Sequence, residues 1–564
     1  MPSLEAEVNK YSLPKLSYRR SRHYYEKNYK TTLNTGMLIP IYANELTQPG
    51  DTFKIDLSFI AREVTPLQPV MDNLYIQFFG FAVDWLDIWN DTKAFWGENT
   101  LGAWAQTTEY FTPQIKIPAN TKITAHSLLA YFGWPQKKYT TEFTTGGGLS
   151  VNAYCLTYNE WFRNQNYIPP LEINMAGTTI TYDPNDVTKG GLVKNSMKFH
   201  DRFTSGVPAP ERGDPVPVPL GTTAPVVGNG NAIGLYVRDG GNMINAGWIG
   251  AAGASISASP YIRPGETGAA GADPTGTGSG ADNGKYVGLS TDKNFSGIYA
   301  DLADAVSAAL SAQRLAIATN HILEKLAMYG GRYREIIRAC WGVESSDLSQ
   351  HIPEYLGGWR QPLNMEEVVA TTAAENQELG NTGAMSLTNG FGNIMTKSFN
   401  QHAVILILCT IRHNQTYGQG LPRQYFKSRK YDYYWNDYAG ISFQPVLNGE
   451  LFLQGTAEDK EAFSFLPPWS EYKSEENQLT GMFNPYYSTN DGDTENWLKE
   501  WTYGNKFANL PMMGEEFLEQ GPENVDRTIT VQSTLGDQFL LDCQFLITKW
   551  SEVPDFRVVG LDRF

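Results

Sequence analysis

The sequence predicts a mainly β protein with a β-sandwich core, and three observations favour this fold class. Residues 53–59 carry apolar side chains at every second position, as in a strand with one buried face. Residues 74–85 are apolar on both faces, which is typical of a strand covered from both sides. The composition, with 41% hydrophobic and 13% aromatic residues, is that of a packed protein and not of a disordered chain.

The C-terminal half repeats the strand patterning. Residues 529–531 and 539–547 alternate between apolar and mostly polar side chains, and the Gly-containing stretch 533–537 joins them. We therefore expect an antiparallel hairpin there. Residues 402–412 form a long apolar run and predict a further, fully buried strand.

Helical patterning is confined to the middle of the chain. Residues 301–329 are rich in Ala and Leu and contain no Gly or Pro, as expected of a helix. Gly330 and Gly331 follow, and glycine readily adopts the left-handed backbone conformation that ends a helix. Beyond Thr319 the apolar stripe drifts, so we expect a kink or a split there. A shorter helix is predicted at 332–341. Strands at both ends with helices between them indicate a β domain that carries long insertions.

A shift in composition separates a surface segment from the rest of the chain. Residues 221–290 are rich in Gly and poor in large apolar side chains, so they cannot supply a core of their own. We divide the chain into an N-terminal basic arm and lead-in (1–50), a first part of the sandwich (51–212), a Gly-rich surface insertion (213–297), and a helical insertion with loops and the C-terminal sandwich strands (298–564).

The charge balance restricts how the chain could meet nucleic acid. Its formal net charge is -16, which excludes a chain-wide nucleic-acid surface because phosphates require an excess of cations. The N-terminal segment is a local exception, since its cations alternate with tyrosines, a pattern suited to single-stranded DNA. The DNA-contact candidates are Arg19, Arg20, Arg22, Lys27 and Lys30. The alternative is a solvated terminal arm without a ligand.

Motifs for catalysis, metal binding or membrane insertion are weak or missing in the sequence. We find no P-loop, no HExxH and no Gly-x-Ser-x-Gly, and therefore expect no cofactor, no metal and no enzyme. We expect no secretory signal, and the apolar run 403–409 is too short to span a bilayer. Four dispersed cysteines predict reduced thiols and no disulfide framework. They are Cys155, Cys340, Cys409 and Cys543.

One pair of carboxylates allows two interpretations. Asp84 and Asp87 stand beside Trp85 and Trp89, an arrangement that a glycosidase would use as an acid pair under aromatic sugar platforms. The simpler interpretation, which we favour, is a polar strand end with large apolar anchors.

Eight local strings, in order along the chain, resemble the major capsid proteins of microviruses, and most closely their gokushovirus-like branch. They include the NEWFRNQN stretch at 159–166, the GRYREIIR stretch at 331–338 and the RKYDYYW stretch at 429–435. The remaining strings lie at 36–53, 69–73, 200–205, 353–358 and 479–483. The chain departs from the family's usual pattern at 402–409 and in a well-filled Gly/Ala loop.

The resemblance implies a particular architecture and a set of partners. It implies an eight-stranded viral jelly roll, of which sixty copies close into a T=1 icosahedral shell around a circular single-stranded DNA genome of a small bacteriophage. It further implies a small basic DNA-packing protein, pilot and scaffolding proteins, and a host-cell receptor reached through the 213–297 insertion. The protein would then reside in the virion, after assembly in the host bacterial cytoplasm.

Two of these strings supply candidates for subunit contacts. Aromatic rings mixed with charged groups are what a buried seam between subunits offers, although a core corner within one subunit would look the same. The candidates are Trp161, Phe162, Arg163, Tyr433 and Trp435. The rival functions are a carbohydrate-active β-sandwich enzyme and a receptor-binding phage tail protein.

Overall fold

The computed structural model describes residues 20–98, 108–214, 216, 310–369, 382–487 and 501–554, together with five short strands between 226 and 300. Contacts divide the chain into two compact units, one made of residues 1–212 and 324–564 and the other of residues 213–323. The division of the chain into four segments, with a surface insertion at 213–297, stays a prediction.

Eight long strands in the first unit form two four-stranded antiparallel sheets. In chain order they are β1 (Ser21–Leu33), β2 (Ile39–Thr47), β3 (Thr52–Glu63), β4 (Leu74–Asp84), β5 (Glu354–Pro362), β6 (Thr388–Ser398), β7 (Ala403–His413) and β8 (Phe539–Ser551). Sheet one has the order β1-β8-β3-β6, and sheet two has the order β5-β4-β7-β2. This alternation of strands between two sheets is the topology of a jelly roll, so the predicted fold class is confirmed.

The core lies between the two sheets because strand alternation directs one set of side chains inward. On β3 the inward residues Phe53, Ile55, Leu57 and Phe59 are almost completely buried, while their neighbours are partly or fully exposed. Strand β8 shows the same alternation, with Phe539 among its buried residues. The alternation in the sequence therefore reflects sandwich strands that have one face in the core and the other face towards solvent.

Strands β4 and β7 are apolar on both faces because a helix covers the outside of sheet two. Helix α3 (Gly148–Thr157) packs on β2, β4 and β7. Its residues Leu149 and Ala153 form a buried cluster with Val83 and Val404, whose side chains point away from the sandwich interior. The predicted strands at 74–85 and 402–412 are confirmed, with Trp85 beginning a short 3-10 turn.

The remaining elements lie in the connections, and most of them are short apart from the twenty-residue helix α4. The other helices are α1 (Thr92–Phe95), α2 (Leu128–Tyr131), α4 (Leu310–Tyr329), α5 (Tyr333–Trp341), α6 (Asn448–Leu451), α7 (Glu515–Leu518) and α8 (Glu523–Asp526). Minor strands of the first unit are Ile115–Ile117, Thr121–Lys122, Lys138–Tyr139, Phe143–Thr145, Ile180–Thr181, Met365–Val369, Thr382–Ser386, Gln444–Leu447 and Ala462–Leu466. Those of the second unit are Val226–Gly228, Leu235–Asp239, Asn242–Ala246, Tyr286–Leu289 and Ile298–Ala300.

Two of the sequence predictions need correction. The hairpin between 529–531 and 539–547 is wrong: Ile529 makes a single bridge to Pro66, and β8 pairs with β1 and β3. Of the kink or split expected beyond Thr319, the split is wrong, since α4 is continuous from Leu310 to Tyr329. Residues 301–309, the predicted start of that helix, lie outside the described residues.

The helix predicted at 332–341 is confirmed as α5. None of the helices in the described ranges has the length and apolarity needed to cross a membrane.

A pair of glycines allows the edge strand β5 to approach its neighbours closely. The pairing of β5 with β4 is irregular between Tyr355 and Gly357. A Cβ atom on Gly358 would lie 2.0 Å from the carbonyl oxygen of Phe78, and one on Gly357 would lie 2.4 Å from that of Ile394. Backbone oxygens cannot rotate away as a side chain can, so these positions exclude a larger residue.

We predict that Gly358→Ala lowers the free energy of unfolding by about 2–4 kcal/mol, because the new methyl group meets a backbone carbonyl. The midpoint of urea unfolding of the purified protein measures this change. Gly514→Ala is the matched control, since a Cβ there has nothing within 4 Å. Equal midpoints for the two variants would contradict the prediction.

A buried carboxyl group at the end of β3 makes stability depend on pH. Glu63 is only 2% exposed, and an interaction with the buried Tyr503 hydroxyl offsets only part of the cost of burying its carboxyl group. Burial raises the pKa of Glu63 to about 8. The folded protein therefore holds this proton at a pH where the unfolded chain has lost it, so stability falls as pH rises from about 4.5 to about 8.

We predict that Glu63→Gln flattens this part of the pH profile and raises the free energy of unfolding at pH 7 by an amount on the order of 2 kcal/mol. The reason is that the neutral amide has no proton to lose. Unfolding midpoints of both proteins at pH 5, 6, 7 and 8 provide the measurement. Parallel profiles for the two proteins across this range would rule out the buried carboxyl as the cause.

Candidate nucleic-acid and subunit contact surfaces

The N-terminal basic segment is part of the sandwich from Ser21 onward. Strand β1 pairs with β8 along its whole length, from Ser21 opposite Ser551 to Leu33 opposite Phe539. Arg22, Lys27 and Lys30 therefore lie on an ordered edge strand and not on a free arm, and Arg20 directly precedes it. Arg19 lies outside the described residues. No strand signal is visible in this stretch of sequence because tyrosines and cations replace the usual apolar alternation.

The strand separates the DNA-contact candidates onto two faces. Lys27 shares the inward-facing register with Tyr29 and Leu33, and its ammonium lies 4.8 Å from the centre of the Tyr42 ring. Arg22 and Lys30 lie on the outer face, where Lys30 is 3.4 Å from Asp542. The candidates thus do not form one surface.

The outer face of sheet one carries both signs of charge. Cross-strand register places Lys54 and Arg62 of β3 on the same face as Arg22 and Lys30. The acids Glu26, Asp56 and Asp542 lie on this face too, and Asp56 is 3.1 Å from Lys54. Cations that alternate with acids attract phosphate weakly, so this face is only a modest candidate for DNA contact.

Trp161, Phe162 and Arg163 contact their own subunit. They stand at the end of a π-helical turn, Tyr158–Phe162, that continues α3. Phe162 packs edge-on against Phe79 at 5.2 Å, and the Trp161 indole Nε1 donates a hydrogen bond of 2.8 Å to the Pro353 carbonyl. Arg163 donates from Nη1 to the Ile168 carbonyl at 2.6 Å. All three side chains keep part of their surface exposed.

Two of the strings that resemble the microvirus proteins meet at this corner. Arg332, at the start of α5, donates from Nη2 to the carbonyls of Asn159 and Arg163, at 2.7 and 3.2 Å. The Arg334 guanidinium lies 4.7 Å from the centre of the Trp161 ring. A cation at the C-terminal end of a helix satisfies its last carbonyls, so these contacts fix the end of α3. Sequence spacing alone could not show that residues so far apart meet.

Tyr433 and Trp435 lie on an open surface. They belong to residues 423–435, which we call the aromatic–basic segment. Tyr433 is 50% exposed and Trp435 is 41% exposed. The Lys430 ammonium lies 5.4 Å from the Tyr431 ring centre and 5.1 Å from that of Trp435. Asp432 accepts hydrogen bonds from the backbone N–H groups of Ser428 and Arg429, which lower the pKa of its carboxyl group.

A buried ionic network anchors the start of this segment. Glu450, which is 4% exposed, accepts from Arg202 Nη2 at 2.9 Å and from Arg423 Nη1 at 2.9 Å. Arg202 Nε also lies 3.0 Å from Glu476. Each buried charge therefore has an opposite charge and hydrogen bonds, as burial requires.

The Asp84 and Asp87 pair is a structural strand end. Asp84 accepts a hydrogen bond from Gln401, and burial raises the pKa of its carboxyl group to about 6. Asp87 bonds to His351 Nδ1 at 2.8 Å. Trp85 is 8% exposed and Trp89 is 1% exposed, so neither indole offers a platform for a sugar. This geometry supports the simpler interpretation of the pair.

The cysteines are free thiols in the part of the chain that the structure describes. Cys155, Cys409 and Cys543 are buried and Cys340 is exposed. Burial raises the pKa of the Cys155 thiol to about 12, which keeps it protonated and unreactive. Within the same residues, no group of three or more His, Cys, Asp or Glu side chains is placed to hold a metal ion.

Comparisons with known proteins identify the family. A family model described as "Capsid protein (F protein)" matches residues 12–561. The capsid protein VP1 of Spiroplasma virus 4 is 30% identical, over 100% of this chain and 99% of that protein. VP1 of Chlamydia phage 1 is 28% identical over 98% of each chain, and VP1 of Bdellovibrio phage phiMH2K is 28% identical over 92% of this chain and 91% of its own. Together with the jelly-roll topology and the matching strings, these findings show that the chain belongs to the F-protein family of microvirus capsid proteins and is a major capsid protein of that family.

Proposed function

We propose that this capsid protein closes into a T=1 icosahedral shell of sixty copies around a circular single-stranded DNA genome. The observation that carries the proposal is a complete eight-stranded jelly roll in a chain that matches VP1 capsid proteins along its whole length. A jelly roll pairs most of its strand edges within the subunit, and its loops are free to elongate into contacts with neighbouring copies. The binding free energies of many modest contacts between identical subunits add up over a closed shell.

The charge of the coat makes further partners necessary. At a net charge of -16 per chain, the shell cannot neutralise the genome by itself. A small basic DNA-packing protein would supply the missing cations, and pilot and scaffolding proteins would act in delivery and assembly. The 213–297 insertion would project from the shell and meet the host-cell receptor. Assembly would take place in the host bacterial cytoplasm, and the finished protein would reside in the virion.

The candidate subunit contacts differ in what they could offer a neighbouring copy. Trp161, Phe162 and Arg163 contact residues of their own subunit, so their contribution would be to shape the surface that meets a neighbouring copy. Tyr433 and Trp435 have more open surface and could contact a second copy directly. The same surface suits single-stranded DNA.

Shell formation is tested by expressing the protein together with its phage partner proteins and examining the product by sedimentation and negative-stain imaging. We expect closed megadalton particles with icosahedral symmetry, because each copy presents the same surfaces to its neighbours. Persistent monomers or trimers under these conditions would overturn the proposal.

We predict that replacing Arg20, Arg22 and Lys30 with Gln lowers the DNA content of particles modestly without blocking shell closure, because the outer face of sheet one keeps only Lys54 and Arg62 of its four named cations and Arg20 beside it is neutralised. The absorbance ratio at 260 and 280 nm of purified particles measures DNA content. Replacing Lys122, Lys137 and Lys138 with Gln is the control, since it removes the same charge from an exposed strand pair outside the sandwich. Unchanged DNA content in the first variant would remove β1 from the set of DNA contacts.

A further inference from the structure

We propose that the aromatic–basic segment, residues 423–435, is a contact surface for single-stranded DNA. This inference rests on the proposed function, in which the coat encloses such a genome. It names a site other than the N-terminal candidates, on a different part of the fold. Four features of the segment support it: its charge, the exposure of its rings, a cavity beside them and the rigidity of the backbone that holds them.

The segment concentrates positive charge in a chain that is negative overall. It contains four cations, Arg423, Lys427, Arg429 and Lys430, and one acid, Asp432. Arg423 and Lys427 are held by Glu450 and Glu471, whereas Arg429 and Lys430 are exposed. The two exposed cations are therefore available to phosphate groups at the surface.

The rings of the segment are open to solvent. Tyr425 is 65% exposed and Tyr431 is 62% exposed, and Tyr433, Tyr434 and Trp435 each expose between 41% and 50% of their surface. Exposed aromatic rings next to cations are the arrangement that single-stranded nucleic acids use, with bases stacked on rings and phosphates on charges. A duplex offers few unstacked bases and would gain less from these rings.

A cavity of about 240 Å³ lies beside the exposed rings. Its walls include the rings of Phe426, Tyr431 and Trp469 and the charged groups of Lys427 and Glu471. The Lys427 ammonium lies 2.6 Å from Glu471 and 4.3 Å from the centre of the Tyr472 ring. A planar base has the size and the aromatic faces to enter such a space, and polar wall groups can meet its edge.

The surface is held in place before any ligand arrives. The Trp435 indole Nε1 donates to the Lys430 carbonyl at 3.1 Å, which closes the loop between them. The Tyr434 backbone N–H donates to the Tyr472 hydroxyl at 3.2 Å. A loop backbone and an indole that are already fixed lose little conformational entropy on binding, which favours stacking.

A second copy of the chain is the competing occupant of this surface. The buried centres of protein interfaces are depleted in lysine and in charge, whereas this segment exposes two cations, Arg429 and Lys430, that have no carboxylate partner among the ion pairs of the described residues. The outer face of sheet one alternates cations with acids and does not share this concentration of positive charge. The observations therefore favour a polyanion with exposed bases.

The experiment measures binding of the purified protein to a fluorescently labelled oligothymidylate by anisotropy, with a duplex of the same length for comparison. We expect the wild type to prefer the single strand. Tyr431→Ala with Trp435→Ala should weaken binding about tenfold or more, since each stacked base contributes through its ring. Tyr431→Phe with Trp435→Phe should restore most of the affinity. Tyr333→Ala, at a ring that is 67% exposed on α5, is the control and should bind as the wild type does.

The charge contribution is read from the salt dependence. Arg429→Gln with Lys430→Gln should reduce the slope of log K against log salt by about 1.4, or about 0.7 for each phosphate that the variant no longer neutralises. Absence of single-strand binding by the wild type, or equal affinity for all variants, would overturn the inference. Normal oligonucleotide binding by the alanine variant with a failure of shell closure would instead assign the segment to a contact between copies. In either case, DNA-filled particles of the wild type would leave the proposed function standing.

Discussion

The ladder between β1 and β8 is the constraint on which the architecture depends, because it joins the two ends of the chain. These strands pair over thirteen residues each, and β8 also pairs with β3. Sheet one therefore cannot be completed until residues near 21 and 551 meet. Such non-local pairing closes a very long loop, which makes folding slow relative to a protein of local contacts. Because β1 and β8 come before and after the other sandwich strands in the sequence, the loops between those strands can vary in length without changing this pairing.

Long connections between sandwich strands carry the surfaces that matter for function. The chain from β4 to β5 contains α3, the whole second unit and α5, while the chain from β7 to β8 contains the aromatic–basic segment. Polar contacts fix both connections and join them to each other. Arg332 holds the end of α3, and Arg202 with Glu450 holds the start of the segment. A rigid core with anchored excursions is a common way to build contact surfaces.

The parts of the fold that could be predicted are those with a clear hydrophobic period. Strands β3, β4 and β7 follow directly from their patterns. Strand β1 was missed because tyrosines and cations occupy it, and β6 because its glycines interrupt any stripe. The hairpin near Ile529 failed because a few alternating residues do not identify a partner, and the partners of β8 lie hundreds of residues away. For the site, a string that resembles the microvirus capsid proteins identified Tyr433 and Trp435, but exposure, the cavity and the anchoring carboxylates depend on tertiary contacts that no local pattern reveals.

The close approach at Gly357 and Gly358 has a consequence for how such a coat can evolve. Gly357 lies against the backbone of β6, so the edge of one sheet presses on the edge of the other where a side chain would hold them apart. In a shell of identical tiles, any change at this position is repeated in every copy at once. The surface loops of related coat proteins are therefore expected to vary in sequence, while the positions of Gly357 and Gly358 keep glycine.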